Sequence, residues 1–433
     1  MRQTLDLAGA VRDDRVTGRF LVNRNAFVDE DILALERERI FSKCWLYIAQ
    51  ATEVKPGSFI TREVGGRPLI LSRDRDGKMH CFYNTCSHRG AMVCRERSGS
   101  RRTFTCPYHA WSFDLTGKMI GMPGADAHPI DPLQEPSLDL PKVERLDEFR
   151  GFVFVCFDRD AISLDEYLAG AKTYLVYVAD HGAQGMEAVG DTQEYSVAAN
   201  WKLLYENSAD SYHGVPTHST CFDFLRNRDG GKAASLDLAL SGGVENLGNG
   251  HAVIWSIGAL PWERPYARWV PGFGDECKSE IEAISAEIMA RPGPERGAHV
   301  AHGDRNLLIF PNLVVNDIMA VTVRTFYPVR PDFMQVNNWA LAPIGESASA
   351  RERRLRNFAE FLGPVGFATP DDVEMLESAQ RGYANRSAAA WNDYSRGTRR
   401  ATPIKSDELQ MRTFWRRWHR AITGDSNVQL EGP

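Results

Sequence analysis

The chain has 433 residues, of which 43% are hydrophobic and 25% are charged, and its formal net charge is −6. This length predicts two or three domains, and the composition is that of a globular protein with ample core material. No basic run points to a nucleic-acid partner. The sequence has neither an apolar stretch of about 18 residues nor an amino-terminal leader, so we expect no membrane span and a cytoplasmic location.

The first part of the chain changes from a helical pattern to a strand pattern. Apolar residues at helical spacing predict a helix over 27–44. The apolar runs then shorten to strand length, and Gly65-Gly66 between two of them predicts a two-residue hairpin. Residues 45–158 are therefore expected to form a small β domain.

Two short motifs in this β domain combine cysteine with histidine. Cys86-Ser-His88 is followed, after 17 residues, by Cys106-Pro-Tyr-His109, and each motif lies at a predicted turn. Two thiolates on one iron and two imidazoles on the other are the ligands of an asymmetric two-iron, two-sulfur cluster, whose potential is roughly −150 to +300 mV. A structural zinc site is the alternative, although zinc motifs usually pair like ligands.

The chain has eight cysteines, two of which belong to these motifs. The other six are scattered, and we interpret them as thiols in a reducing compartment, with disulfides among them as the alternative. They are Cys44, Cys81, Cys94, Cys156, Cys221 and Cys277.

The rest of the chain alternates helical and strand patterns. Helices are predicted at 164–176, 200–213, 277–290, 350–362 and 370–382. Strands are predicted at 193–198, 252–257, 306–315, 319–327 and 334–343. Antiparallel-looking strands with helices laid across them indicate an α+β fold.

A second group of candidate ligands lies in the middle of the chain. Glu206, Asp210 and His213 follow one another at i, i+4 and i+7, which predicts one polar face of a helix. A glycine and a proline just after His213 would end this helix, so that His218 turns back toward His213. Two imidazoles with one carboxylate are the ligand set of non-heme ferrous oxygenases. An ordinary helix end with solvated or buried histidines is the alternative.

The carboxylate ligand has to come from another segment, and the candidates are Asp371 and Asp372. The same segment also fits the start of a helix, with Thr369 as N-cap and Pro370 at the first helical position. Acidic residues there would favour the positive end of the helix. The spacing alone leaves both interpretations open.

These motifs resemble those of a known family. The stretch from Cys86, with Cys106-Pro-Tyr-His109-Ala-Trp-Ser-Phe-Asp-Leu-Thr-Gly, resembles the Rieske domain of aromatic ring-hydroxylating dioxygenases, and the segment around His213 resembles the iron motif of the same large subunits. The resemblance implies an α+β fold in which an N-terminal Rieske β domain precedes a helix-grip catalytic domain. The implied parts are a helical segment 1–44 that packs on the catalytic domain, a Rieske domain 45–158 and a catalytic domain 159–433.

The resemblance also implies the roles of individual residues. The ligands of a Rieske-type [2Fe-2S] cluster match Cys86, His88, Cys106 and His109. The ligands of a mononuclear Fe(II) match His213, His218 and Asp372, with Asp371 as the alternative carboxylate. Asp210 would be a catalytic residue that links His213 to His109 of a neighbouring chain.

The implied function is that of the large, terminal oxygenase subunit of a multicomponent, NADH-dependent system. A separate ferredoxin or flavin reductase would supply electrons, since no nucleotide-binding fingerprint is visible. The enzyme would add both atoms of O2 to an aromatic ring and give a cis-dihydrodiol. The assembly would be an α3 homotrimer or, with small subunits, α3β3. A Rieske monooxygenase or demethylase, and a Rieske electron-transfer protein without catalysis, are the alternatives.

Within this family, the length of the chain and the pattern from Asp407 to the following tryptophans resemble those of enzymes acting on substituted benzoates such as cumate or salicylate, and the resemblance implies such a substrate, with a polycyclic or dioxin-type aromatic as the rival. Arg305 and the run from Arg396 to Arg400 are candidate partners for a substrate carboxylate, through paired donors. A solvated surface position is the alternative for each of them.

Overall fold

The computed structural model describes most of the chain, namely residues 7–228, 242–258, 264 and 267–430. The chain divides into two compact units, one being Phe41–Leu164 and the other combining Met1–Ile40 with Asp165–Pro433. Among the described residues, no helix has both the length and the apolar character that crossing a bilayer requires. All eight cysteines lie in the described part of the chain, and none of them forms a disulfide.

The strands of the described residues are numbered β1 to β20. In chain order they are Val11–Asp14, Arg19–Asn23, Leu46–Gln50, Ser58–Val64, Arg67–Arg73, Met79–Tyr83, Ser98–Ser100, Thr103–Thr105, Ser112–Asp114, Met119–Gly121, Arg145–Phe149, Phe152–Cys156, Met186–Val197, Gly242–Gly248, His251–Ile257, Gly303–Ile309, Leu313–Asp317, Val321–Arg330, Phe333–Pro343 and Trp391–Asp393.

The α-helices are numbered α1 to α11. In chain order they are Glu30–Glu36, Leu164–Leu168, Ala171–Ala179, Trp201–Ser208, Gly214–Thr217, Ser219–Arg228, Lys278–Ala290, Pro294–His302, Ala348–Phe361, Ala368–Gly382 and Leu409–Thr423. A π-helical turn, Arg37–Phe41, continues α1. The helix predicted at 164–176 is two helices, α2 and α3, because the chain breaks at Ala169, whose φ is 44°.

The unit Phe41–Leu164 consists of short antiparallel sheets. Their strand orders are β6-β5-β4-β7, β10-β9-β8 and β11-β12-β3. The predicted hairpin is confirmed, since β4 and β5 pair with Val64 opposite Arg67. Gly65 and Gly66 have φ angles of 58° and 75°, the left-handed conformation that a tight two-residue turn requires.

The two cysteine-containing loops lie on the core of this β unit. Cys86 and Cys106 belong to its buried apolar cluster. The other members are Phe59, Ile70, Phe82, Val93, Cys94, Phe104, Trp111, Phe113, Leu115, Met119 and Leu140. Because these side chains pack at close to crystal density, they fix the two thiols in place without a helix.

The second unit is built on a seven-stranded antiparallel sheet with the order β13-β19-β18-β17-β16-β15-β14. The single strand predicted at 306–315 is wrong, because this segment forms β16 and β17. The chain reverses between them, and Ile309 pairs with Leu313. Apolar residues continue through the reversal, so the pattern concealed the turn, and Pro311 was its one signal in the sequence.

Helices cover this sheet. Helix α11 packs against β14 and β15, and α9 packs against β19. Phe414, Trp415 and Trp418 of α11 are fully buried. A smaller sheet of β1, β2 and β20 belongs to the same unit. The predicted α+β fold class, with a helix-grip arrangement of helix on antiparallel sheet, is confirmed.

The predicted helix at 200–213 is shorter in the structure, where α4 ends at Ser208. Glu206, Asp210 and His213 therefore do not share a helical face, and this part of the sequence interpretation is wrong. Glu206 is partly buried and accepts hydrogen bonds from the Tyr394 hydroxyl at 2.7 Å and from Nε1 of Trp415 at 2.6 Å.

Glu206 makes the stability of the protein depend on pH. Burial raises the pKa of Glu206 to about 8 from an ordinary 4.5, against the hydrogen bonds of Tyr394 and Trp415. Between these two pH values the folded state binds a proton that the unfolded state has lost. The contribution of Glu206 to the stability of the protein is therefore fully present below pH 4.5 and is lost as the pH rises through about 8.

The variant Glu206→Gln keeps the acceptor oxygen and removes the titration. Compared with the natural chain, it should gain stability between about pH 5 and about pH 9, on the order of a few kcal/mol. Urea unfolding of both proteins across this range measures the difference. A difference in stability that stays constant with pH would contradict the assignment.

Candidate metal centres

The two cysteine-containing loops have the same backbone hydrogen bonds. The carbonyl of Cys86 accepts from the N–H of Gly90 at 2.9 Å, and that of Cys106 accepts from the N–H of Ala110 at 3.0 Å. Each cysteine N–H donates to the carbonyl five residues later, at 2.8 Å in both loops. Gly90 and Ala110 both have positive φ, 75° and 60°. Two similar turns thus present one thiol each, while their histidines differ by one position.

The imidazoles of the two loops face each other. The ring centroids of His88 and His109 are 4.5 Å apart, and the indole of Trp111 stacks on His88 at 4.6 Å. Nδ1 of each imidazole is buried and has no hydrogen-bond partner among the described residues. Loss of solvation and the neighbouring His109 lower the pKa of His88, which favours the neutral ring that a metal ligand requires. Two buried thiols and two orphaned ring nitrogens fit a cluster with mixed ligands.

The spread of these four donors distinguishes a cluster from a single ion. Among the described residues, one group of three or more side chains has all its ligand atoms within 4.8 Å of one another, and that group is His213, His218 and Asp372. The donors of the two loops do not close around one point in this way. This arrangement suits two irons with bridging sulfides better than one tetrahedral zinc.

His213 and His218 lie at the two ends of the short helix α5. His213 is the residue before its first turn, and His218 separates it from α6. The N–H of His218 donates to the carbonyl of Gly214 at 3.0 Å, so the predicted glycine begins a new turn of helix instead of ending α4. The imidazole centroids are 5.2 Å apart, and both rings lie beside Asp372.

Asp372 joins the two histidines from helix α10. Its Oδ1 lies 3.3 Å from Nε2 of His213 and 3.2 Å from Nε2 of His218, and the residue is 5% exposed. Thr369 is not the N-cap of this helix, because α10 begins at Ala368 and Thr369 is buried in its first turn. The segment does start a helix, but the prediction that Thr369 is the N-cap of this helix is wrong.

Three further side chains orient this group. Oδ2 of Asp210 is 3.4 Å from Nδ1 of His213, and Oδ2 of Asp371 is 3.4 Å from Nδ1 of His218. Nδ2 of Asn207 donates to Oδ1 of Asp372 at 2.9 Å. Outer partners of this kind fix the ring orientation and tautomer of histidine ligands. Asp210 and Asp371 are identifiable from the sequence, whereas Asn207 has no distinctive spacing that would reveal it.

The charges of the group favour a bound cation. Burial alone would lower the pKa of His213, but Asp210 and Asp372 raise it to about 10. Burial alone would raise the pKa of Asp372, whereas the hydrogen bonds of His213 and His218 hold it well below its ordinary value. Two imidazoles and one ionised carboxylate facing one point fit a ferrous ion with open coordination positions.

The group opens on a cavity of about 130 Å³. One part of its wall is apolar and consists of Cys221, Phe222, Ile254, Ile318, Met319, Phe361, Leu362 and Ala368. The polar part of its wall includes Asp304, Arg305, Asn306, Asn316, Arg324 and Lys405. An apolar pocket with a few polar groups beside a metal-binding group is typical of the site of a small-molecule enzyme.

Two family models match this chain. The Rieske [2Fe-2S] domain matches residues 44–143, and the catalytic domain of ring hydroxylating alpha subunits matches residues 185–424, more than half of the chain. The chain is 32% identical to the 2-halobenzoate 1,2-dioxygenase large subunit of Burkholderia cepacia, over 90% of this chain and 83% of that one. It is 31% identical to the toluate 1,2-dioxygenase subunit alpha of Pseudomonas putida, over 90% and 84%.

A solved structure, that of naphthalene 1,2-dioxygenase from Rhodococcus sp. bound to indole, has a TM-score of 0.79 and 25% identity, over 94% of this chain and 95% of that one. The chain belongs to the alpha subunits of Rieske-type aromatic ring-hydroxylating dioxygenases. It is an oxidoreductase whose cofactors are a Rieske-type [2Fe-2S] cluster and a mononuclear Fe(II). A pure electron-transfer protein is excluded, because the catalytic domain is present.

Substitution of the candidate carboxylate ligand tests the mononuclear site. Asp372→Ala should remove this iron and leave the [2Fe-2S] cluster, because two imidazoles alone do not complete the ligand set. The matched control Asp371→Ala, which removes an outer partner of His218, should retain the iron with about 10- to 100-fold weaker affinity. Iron analysis and the visible spectrum of the cluster measure both. Iron kept in the first variant and lost in the second would transfer the ligand role to Asp371.

Proposed function

We propose that this chain is the terminal oxygenase large subunit of a multicomponent dioxygenase acting on a substituted benzoate, which it converts to a cis-dihydrodiol with both atoms of O2. The observation that carries the proposal is the coverage of 90% of this chain by relatives named for halobenzoate and toluate. The buried cation Arg324 in the cavity wall supports a carboxylated substrate. A polycyclic or dioxin-type aromatic, the rival substrate, has no carboxylate to meet it.

We assign the ligands as follows. The cluster is held by the thiolates of Cys86 and Cys106 and the imidazoles of His88 and His109, and the Fe(II) by His213, His218 and Asp372. When bound, these groups supply single electrons and oxygen activation. The assignment of the cluster is supported by the Nδ1 atoms of His88 and His109, which are buried without a hydrogen-bond partner. The assignment of the Fe(II) is supported by the ligand atoms of the other three residues, which lie within 4.8 Å of one another.

The other side chains of the site position ligands and substrate. Asp371 accepts from Nδ1 of His218, and the carboxylate of Asp210 faces Nδ1 of His213 at 3.4 Å, so that each Nε2 presents its lone pair toward Asp372. Asn207 holds the carboxylate of Asp372 through its amide. The apolar wall binds the aromatic ring and excludes water, which protects reactive species from hydrolysis.

We further propose that Asp210 links His213 to His109 of an adjacent chain, so that electrons pass between subunits of an α3 or α3β3 assembly. Asp210 is only partly buried and already faces Nδ1 of His213, which leaves it accessible to a second imidazole. The proposal also includes a small subunit as the β chain of the α3β3 assembly and a ferredoxin or flavin reductase that supplies electrons from NADH. The cellular location that we propose is the cytoplasm. We assign 45–158 to the cluster domain and 159–433, with the packed segment 1–44, to the catalytic domain.

The variant Asp210→Ala should keep both metal groups and lower product formation by about 100-fold or more, since an outer partner and an electron path are lost together. Asp210→Asn, which keeps an acceptor oxygen, should lose less. Product yield, iron content and reduction of the cluster by dithionite separate these effects. Normal turnover of Asp210→Ala would remove the linking role, and loss of iron would make Asp210 a purely structural residue.

The reaction itself is tested by reconstitution with a ferredoxin and a reductase under ¹⁸O2. Benzoates should yield diols that carry both labelled oxygen atoms, whereas naphthalene should be converted poorly. Mass spectrometry of the products reports both the substrate and the number of atoms inserted. Incorporation of a single labelled atom would support a monooxygenase, and preference for naphthalene would support the polycyclic alternative.

A further inference from the structure

Apart from Asp210 and Asp372 of the candidate metal site, the cavity wall carries three cations and one carboxylate. The cations are Arg305, Arg324 and Lys405, each of them at most 4% exposed, and the carboxylate is Asp304. Transfer of a charge into a protein interior costs several kcal/mol unless a partner compensates it. The partners of each cation therefore indicate which of them remains available to a ligand.

Arg305, the candidate from the sequence, is already paired. Its Nη1 lies 2.5 Å from Oδ2 of Asp317, and Nη2 donates to the carbonyl of His299. Asp317 is fully buried and also pairs with Arg264 at 3.2 Å. Arg305 is thus part of a buried ion network that holds the strands together. The expectation of a solvated surface for Arg305 is wrong, and its donors are not directed to a ligand.

Lys405 is likewise engaged. Its Nζ donates to Oγ of Ser256, and its charge interacts with the buried carboxylate of Asp304. Burial lowers the pKa of Lys405, and Asp304 opposes this shift. Among the arginines near the C-terminal pattern, Arg400 pairs with Asp407 at 3.1 Å, and Arg396 donates to the carbonyl of Ser406.

Arg324 differs from these cations because its described partners are neutral. Its Nη2 donates to Oδ1 of Asn316 at 2.9 Å and to Oγ of Ser208 at 3.2 Å. Its Nε is buried without a hydrogen-bond partner, and the described residues provide no carboxylate within ion-pair distance. The residue is 2% exposed. A buried guanidinium on the cavity wall whose described partners, Asn316, Ser208 and the hydroxyl of Tyr195, are all neutral lacks a compensating negative charge, which an anionic ligand would supply.

The position of Arg324 relative to the metal ligands suits substrate binding. Ser208, which Arg324 contacts, follows Asn207, and Asn207 contacts Asp372. Arg324, His213 and Asp372 line the same cavity, so an aromatic acid whose carboxylate meets Arg324 lies in the cavity onto which the candidate metal ligands open.

We propose that Arg324 is the residue that recognises the carboxylate of the aromatic substrate and sets the preference of the enzyme for benzoates over neutral aromatics. This inference rests on the proposed function and names the specificity determinant of the same site. Arg324 is a binding residue in it, and Asn316 and Ser208 are the positioning residues that hold the guanidinium. A charge-assisted hydrogen bond of this kind contributes enough to change affinity by about 10- to 100-fold.

The experiment is a calorimetric titration of the iron-loaded holoenzyme with benzoate and with benzamide, its neutral isostere. The natural chain should bind benzoate at least about tenfold more tightly than benzamide. Arg324→Met should abolish this preference, and Arg324→Lys should retain part of it. Lys405→Gln, a matched cation of the same wall, should keep the preference. Melting temperature and the spectrum of the cluster verify that each variant is folded, and Arg324→Lys carries the test if the methionine variant does not fold.

The outcomes separate this inference from the proposed function. Loss of the preference in Arg324→Met alone supports the role of Arg324. A natural chain without any preference for benzoate would overturn the proposed substrate class and this inference with it. A preference that survives in Arg324→Met, or that is lost only in Lys405→Gln, would overturn the role of Arg324 and leave the benzoate class intact.

Discussion

The candidate metal site depends on one contact between distant parts of the chain, the approach of Asp372 to His213 and His218. Asn207 and Asp372 are 165 residues apart in sequence, yet they are joined by a hydrogen bond. Helix α10 is held there by two of its own side chains. Glu377 accepts from the N–H of Ala198 at 2.9 Å, and Gln380 accepts from the N–H of Asn200 at 3.0 Å. These bonds tie α10 to the start of α4, and Asp372 lies five residues before Glu377 on α10, beside Asn207 of α4.

The sheet order explains why these segments meet. Strand β13 leads into α4, strand β19 leads into α9 and α10, and the two strands pair side by side. Sequence patterns predict strands but not the order in which they pair. The sequence therefore does not show that Asp371 and Asp372 lie beside the histidines, and their positions were equally compatible with an ordinary helix start. Local motifs were predictable, because the residues of Cys86-x-His88 and of the pair His213 and His218 are close together in the sequence, so that their spacing can be recognised without the fold. Arg324 was missed, although a charged residue within an apolar strand pattern is a signal that could have revealed it.

The end of helix α4 shows what periodicity alone overlooks. Asp210 accepts from the N–H of Tyr212 at 2.6 Å, a local turn that competes with the helix. The hydroxyl of Ser208 donates to the carbonyl of Leu204 at 2.6 Å, as serines at a weakening helix often do. Because the helix stops at Ser208, Asp210 lies beyond it and faces an imidazole, whereas Glu206 remains on α4 beside Tyr394 and Trp415. A continuous helix would have placed both carboxylates on one face.

Asp210, Asp371 and Asp372 together surround two imidazoles, and this arrangement has an energetic consequence. Three carboxylates in so small a volume repel one another, and a positive charge between the rings offsets the repulsion. Asp210 and Asp372 raise the pKa of His213, which is the direction expected where carboxylates surround an imidazole. An iron held by these side chains would displace a proton from His213, and it would stabilise the packing of α10 on α5. The contact that assembles the site is thus also the contact that the metal reinforces.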